Sequence, residues 1–248
     1  MNRKKDYITN KLLLVFTLAF ALLMLLMNVG RMMKSTTTFI AAMTTVKVVA
    51  ICAAAVAVVG IVMLFVERAK KIDTEYKLFS GKNVTIGAIF VALCAGALSV
   101  VFSVEMLMLM YVIVPAIVVL YIVYYSYQRE FFMIALTSAI GGLGIWVLGS
   151  ELVNSSDTLV VAVSAAAVCI CAVITVLAQL RSGKLSIFGN EFTLFKSDAR
   201  YGLVYLTFVL VLALLAAALL VADFTTYFAL GLVAYIVITG IYYTVKLI

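Results

Sequence analysis

Histidine is absent from the 248 residues of this chain, proline and tryptophan occur once each, and only 12% of the residues are charged. Each shortage excludes something. Without histidine there is no imidazole to move protons near neutral pH, and no Ser/His/Asp set can be built. The commonest metal ligand is missing too. No GxGxxG, P-loop or HExxH pattern occurs, so the usual signatures of dinucleotide, phosphate and zinc chemistry are lacking. The sequence therefore predicts no catalytic residues, no cofactor and no metal site. A membrane enzyme acting on lipid phosphate would want His, Asp or Arg clustered at one face, and no such cluster is visible.

What the chain has in abundance is apolar surface. Hydrophobic residues make up 67%, and the mean hydropathy is +1.25. A soluble domain is ~45–50% apolar and ~25% charged, so a soluble core could not enclose this much apolar surface. The four cysteines, Cys52, Cys94, Cys169 and Cys171, fall inside apolar runs. There they act as small hydrophobes, not as a disulfide or metal set.

A helix needs about 20 apolar residues to cross the hydrocarbon of a bilayer. Such runs lie near 12–30, 39–66, 84–104, 106–125, 131–149, 158–178, 201–221 and 224–244. In lipid they must be helices, because only a helix satisfies its own backbone. The first run resembles a signal peptide, with Arg3, Lys4 and Lys5 before it and Ala19-Phe20-Ala21 inside it. Its apolar stretch continues past that point to Val29, so an uncleaved first helix is expected. The fold class predicted is an all-α integral membrane protein of about eight transmembrane helices.

Lysine and arginine set the orientation. With the N-terminus inside, the inner segments carry Arg3, Lys4, Lys5, Lys11, Arg68, Lys70, Lys71, Lys77, Lys82, Arg129, Arg181, Lys184, Lys196, Arg200 and Lys246. The outer loops hold Arg31 and Lys34, and Lys47 lies within the second run. The bias predicts cytoplasmic N- and C-termini. The same bias, with compact loops, leads to an expected bacterial plasma membrane. Positive charge in short loops between apolar runs marks membrane orientation, so the net charge of +7 does not predict nucleic-acid binding.

The chain also repeats itself. Val48-Val49-Ala50-Ile51-Cys52-Ala53-Ala54-Ala55-Val56 matches Val160-Val161-Ala162-Val163-Ser164-Ala165-Ala166-Ala167-Val168 at seven of nine positions. Glu75-Tyr76-Lys77-Leu78-Phe79 corresponds to Glu191-Phe192-Thr193-Leu194-Phe195, and Tyr124-Tyr125-Ser126 to Tyr242-Tyr243-Thr244. The offsets are 112, 116 and 118, in chain order. Two tandem four-helix repeats, 1–128 and 129–248, are predicted. An even number of spans in each makes the repeat parallel rather than inverted.

Two sets of residues stand out. On the outer face the first repeat offers Arg31, Lys34 and Lys47, and the second offers Glu151 and Asp157. Opposite charges across a pseudo-twofold interface would favour association of the two repeats. Lys47 could alternatively snorkel outward along its helix. In the two long cytoplasmic loops, Glu75, Tyr76, Leu78 and Phe79 and their counterparts Glu191, Phe192, Leu194 and Phe195 sit amid basic residues. They read either as amphipathic segments on anionic headgroups or as docking motifs for another protein. Gly141-Gly142-Leu143-Gly144 in the fifth run reads as close helix packing, with a broken helix at a binding site as the alternative. Functionally, the sequence points first to a non-enzymatic subunit, scaffold or partner-binding module of a membrane complex. The second reading is a transporter or channel for a lipid-like or hydrophobic solute, with a path between the repeats.

Overall fold

Runs of twenty or more apolar residues with a single internal proline leave the backbone one way to satisfy itself, and the chain takes it. The computed structural model describes residues 2–70, 80–149, 157–181, 183–187, 190–193, 195 and 201–247. Eight helices are formed: α1 (Asn2–Met33), α2 (Phe39–Ala69), α3 (Gly81–Val100), α4 (Val104–Ser126), α5 (Arg129–Leu148), α6 (Asp157–Leu180), α7 (Gly202–Leu220) and α8 (Thr225–Leu247). All eight are long and apolar enough to cross a bilayer. α4 continues through Pro115.

One element departs from the all-helical expectation. Between α6 and α7, β1 (Lys184–Ile187) and β2 (Asn190–Thr193) form an antiparallel hairpin in the register Lys184↔Thr193 to Ile187↔Asn190. Gly183 seats it. Its φ of 84° lies in the left-handed region, which costs glycine little and other residues more. The Gly183 N–H donates to the Ala178 carbonyl at 2.7 Å, and the Phe195 N–H donates to the Gly183 carbonyl at 3.1 Å.

The chain divides into two compact units, Met1–Val118 and Val119–Ile248. The division falls inside α4. In the first unit α1 supplies a seam of Ala19, Leu22, Leu26 and Val29, the 3-4-3 spacing that keeps one helix face inward. It packs with Ala42 and Val46 of α2, Cys94 and Leu98 of α3, and Leu107, Met110 and Val114 of α4. α2 and α3 run antiparallel at backbone contact. A side chain at Gly60 would strike the backbone of Thr85, and one at Gly81 the backbone of Leu64. Both Glu67 carboxylate oxygens lie 3.0 Å from the Gly81 N–H, which donates to them. A carboxylate at a helix N-terminus satisfies an otherwise orphaned donor and opposes the helix dipole.

In the second unit α5 is the central helix. Half of its apolar window is buried, against a third or less in each of the others. It packs on α6, α7 and α8 through its glycines. A Cβ at Gly141 would run into Val211 of α7, and one at Gly144 into Ser164 of α6. Gly142 stands against Leu232 of α8. α5 is continuous from Arg129 to Leu148, so the glycine cluster is a packing device and not a break.

The tyrosines at the helix ends split by face. Tyr242 is exposed, as an interfacial ring would be, but Tyr243 is buried, with its ring centroid 5.6 Å from that of Phe131. Neighbouring helical residues point about 100° apart, so only one of an adjacent pair can face outward.

The glycines supply a stability test. Gly141→Ala or Gly144→Ala should cost about 1–3 kcal/mol, since each forces a carbon into a filled contact. Val211 resists displacement because its branched Cβ fixes its rotamer. Gly96 and Gly231 have nothing within 4 Å of the added carbon. Alanine there should be neutral or stabilising by up to ~1 kcal/mol. Thermal unfolding in detergent micelles separates the two classes. Equal midpoints for all four variants would remove the packing role of α5.

Candidate functional site

The most unusual chemistry in the described residues lies along one face of α5. Glu130 opens the helix and is 6% exposed; its Oε2 has no hydrogen-bond partner. Two turns further on the same helix, Thr137 and Ser138 are fully enclosed, and both hydroxyls lack partners. The spacing from 130 to 134, 137 or 138 and then 141 keeps these groups on the buried stripe that carries Ile134 and Gly141. Glu130 thus shares the face that packs α5 into its unit.

The surroundings are phenolic rather than basic. The negative charge of Glu130 acts on the phenol of Tyr201, just before α7. Burial first, and then the Tyr205 and Glu130 charges, holds the Tyr201 phenol above its ordinary value. Arg129, the adjacent cation, turns away and stacks over the Tyr124 ring at 4.1 Å. Higher in the unit, the Thr207 and Tyr235 hydroxyls are hydrogen-bonded at 2.7 Å, joining α7 to α8. Tyr205 donates to Gln179 Oε1 and ties α7 to α6.

A buried carboxylate with a free oxygen is costly unless a proton, a cation or a donor meets it. The N-terminal turn of α5 offsets part of that cost through its dipole. The arrangement can therefore hold a proton or accept from a donor. Among the described residues no group of three His, Cys, Asp or Glu is placed to hold a metal. Sequence analysis does not single out Glu130, which follows Arg129 at the junction of α4 and α5. Its helical phase with Gly141 and Ile145 was the available signal that it turns inward.

The residues singled out from the sequence fall as follows. Arg31 ends α1 and Lys34 follows it in the turn, both exposed. Lys47 lies on α2 and is exposed, beside the buried Val46. Glu151 lies outside the described residues, and Asp157 is described only as the first residue of α6. Glu75, Tyr76, Leu78 and Phe79 also lie outside them, as does Leu194. Glu191 and Phe192 sit on β2, opposite Ser186 and Leu185. Phe195 is buried, its ring 5.2 Å edge-on from Tyr201. That ring anchors the end of the hairpin segment to the second unit's core.

A second feature lies in the first unit. A groove of about 300 Å³ runs between α1, α2 and α3, with Leu14 and Leu18, Ala53 and Val56, and Gly87 and Val91 among its walls. No family model, no curated protein and no solved structure matches the chain.

Replacing Glu130 tests its cost directly. Glu130→Gln keeps the shape and removes the charge, and should be neutral or stabilising by up to ~2 kcal/mol. Glu130→Ala removes a buried side chain without replacing its volume and should destabilise relative to Glu130→Gln. Paired chemical denaturation curves decide it. A large loss on Glu130→Gln would mean that the charge has a partner that offsets its burial.

Proposed function

We propose that this chain is a multi-pass protein of the plasma membrane, of bacterial type, that acts as a non-enzymatic subunit of a membrane complex: a scaffold or partner-binding module. The observation that carries this reading is how the helices use their polar side chains. Thr44, Thr45, Thr85, Thr175, Thr207, Thr239 and Thr244 each donate to the carbonyl four residues back on their own helix. Glu67 caps α3. Polar groups so engaged are committed to their own helices, and among the described residues Glu130, Thr137 and Ser138 stand apart from that pattern. The partners proposed are anionic lipids at the cytoplasmic face and another protein at the basic loops around Glu75–Phe79 and Glu191–Phe195.

The same proposal includes two parallel four-helix repeats, with both termini cytoplasmic. Three features support the duplication. The buried seam of α1, at 19, 22, 26 and 29, meets buried positions 131, 134, 138 and 141 of α5 at an offset of 112. On α2 and α6 the buried positions 46, 53 and 60 meet 161, 168 and 175 at an offset of 115, three residues from the 112 of the Val48–Val56 match in the same helices. α3 and α7 end alike: Val101 has φ −110° and ψ 81°, Val221 has φ −135° and ψ 77°, and each N–H donates to an alanine carbonyl four residues back. Pairing of Arg31, Lys34 or Lys47 with Glu151 or Asp157 belongs to this picture. An exposed ion pair contributes only ~0–1 kcal/mol, so it would orient the repeats more than hold them.

One observation favours a second reading, a carrier or channel for a lipid-like solute: the apolar groove of the first unit.

Orientation is checked by single cysteines in a chain whose native cysteines are replaced by alanine. Lys34→Cys should react with an impermeant maleimide in intact cells, and Lys70→Cys and Arg181→Cys only after permeabilisation. Labelling of the three on one side would sink the topology. The subunit reading predicts that the chain, extracted in mild detergent, migrates in a complex of fixed stoichiometry with a second polypeptide. Charge reversal at Glu75 and Glu191 together should release that partner. A chain that runs alone or only with itself refutes the reading.

A further inference from the structure

The groove of the first unit has a polar mouth, and the two parts fit one kind of molecule. On α1, positions 7, 11, 14 and 18 share one face, by the i, i+4, i+7, i+11 spacing of a helix. Leu14 and Leu18 form one groove wall. Tyr7 and Lys11 continue the same stripe beyond it. On α3, Asn83, Gly87 and Val91 recur at four-residue intervals and line the opposite wall. The two helices are joined at the mouth, where Asn83 Nδ2 donates to the Tyr7 hydroxyl at 3.4 Å. The Lys11 ammonium lies 5.7 Å from the centre of the Tyr7 ring. Lys82 is exposed in the first turn of α3. One end of the groove thus gathers amide, phenol and ammonium groups, and the rest of it is apolar over some eight residues of α3, ~12 Å at 1.5 Å per residue.

We infer that this groove binds an anionic phospholipid, with one acyl chain between Leu14, Leu18, Val56 and Gly87 and the phosphate at Lys11, Lys82 and Asn83. Charge decides the headgroup class. The described side chains at this end include the cations Lys11, Arg68, Lys70 and Lys82 and the acids Asp6 and Glu67. Glu67 is engaged by the Gly81 N–H, so it closes the α3 N-terminus as an anion site and leaves the phosphate to the side chains. A volume of about 300 Å³ sits at the lower bound of ligand pockets, room for part of a chain and not for a whole lipid. Glycine at 87 is what keeps the groove open: a Cβ there would stand 3.9 Å from Leu18, and a larger side chain would grow into the space. The inference needs only a bilayer around α1 and α3. It stands whether the lipid is a structural ligand or a cargo, and whether or not a protein partner exists.

The probes are dioleoyl phosphatidylglycerol and dioleoyl phosphatidylcholine, added to the full chain in detergent and read by native mass spectrometry. Phosphatidylglycerol should be retained in preference to phosphatidylcholine. Lys11→Gln and Lys82→Gln should each weaken it about fivefold, the effect of ~1 kcal/mol per lysine near an anionic headgroup. Gly87→Leu should abolish retention of that lipid, while Gly96→Leu on the same helix, where the added carbon meets open space, should leave it unchanged. Should Gly87→Leu fail to fold, a phosphatidylglycerol with a diazirine in its acyl chain gives the same answer on the unaltered chain, by crosslinking to peptides containing Leu14–Leu18 or Val84–Val91. Equal retention of the two lipids, crosslinks spread over the exposed faces of all helices, or full binding by Gly87→Leu would overturn the assignment.

Discussion

Helices that share an apolar solvent gain nothing from hiding apolar side chains from one another, because lipid is as apolar as leucine. Cohesion must come from contact distance and from the few polar groups that reach across. That constraint explains the weight carried by glycine here. Gly60 and Gly81 bring α2 and α3 to backbone contact, and Gly141 and Gly144 let α6 and α7 close on α5. At such distances dispersion attractions sum over many atoms, each worth only ~0.1–0.2 kcal/mol. A bulky residue at any of these positions would hold the helices apart, and the loss would spread along the whole seam. Hydroxyl bonds that close on their own helix add internal order without demanding a partner elsewhere.

Seen this way, the two units solve the same problem differently. The second is built around α5, with neighbours on three sides and half its apolar window enclosed. That degree of enclosure is what allows Glu130, Thr137 and Ser138 to be buried at all, since a polar group facing lipid would be still more costly. The first unit concentrates its close approach in the α2–α3 pair and meets α1 through larger side chains. Leucine and valine seams hold helices farther apart than glycine seams. The groove beside Gly87 lies in the space that this looser approach leaves between α1 and its neighbours.

The eight helices were legible because a run of twenty apolar residues has one backbone solution in lipid. The glycine cluster of α5 was legible for its packing role, since small residues are what close contact requires. The hairpin was not. Its alternation, Leu185-Ser186-Ile187 followed by Glu191-Phe192-Thr193, is short and embedded in basic residues, which drew attention to charge. Glu130 was not legible either: beside Arg129, between two apolar runs, nothing in the residue types marks it as buried. Only its phase within α5, fixed once the packing face is known, turns it inward. Tyr243 teaches the same lesson from the aromatic side. Sequence names the residue types at a helix end, and the helical phase decides which of them meets lipid and which meets the core.

Phase is also what makes the duplication argument more than a count of shared alanines. Ala and Val recur throughout such a chain, so identity over nine residues is a weak signal. A buried face is a stronger one, because a shift of one residue rotates it by about 100°. The seams of α1 and α5 agree at 112, the value given by the Val48–Val56 match. Those of α2 and α6 agree at 115, three residues away, a rotation of about 60° from that match. A single rigid copy would keep one offset throughout. Within α2 and α6 the residue match gives 112 and the buried face gives 115, so identity and phase are separate tests of the proposed duplication, and here they differ by that rotation.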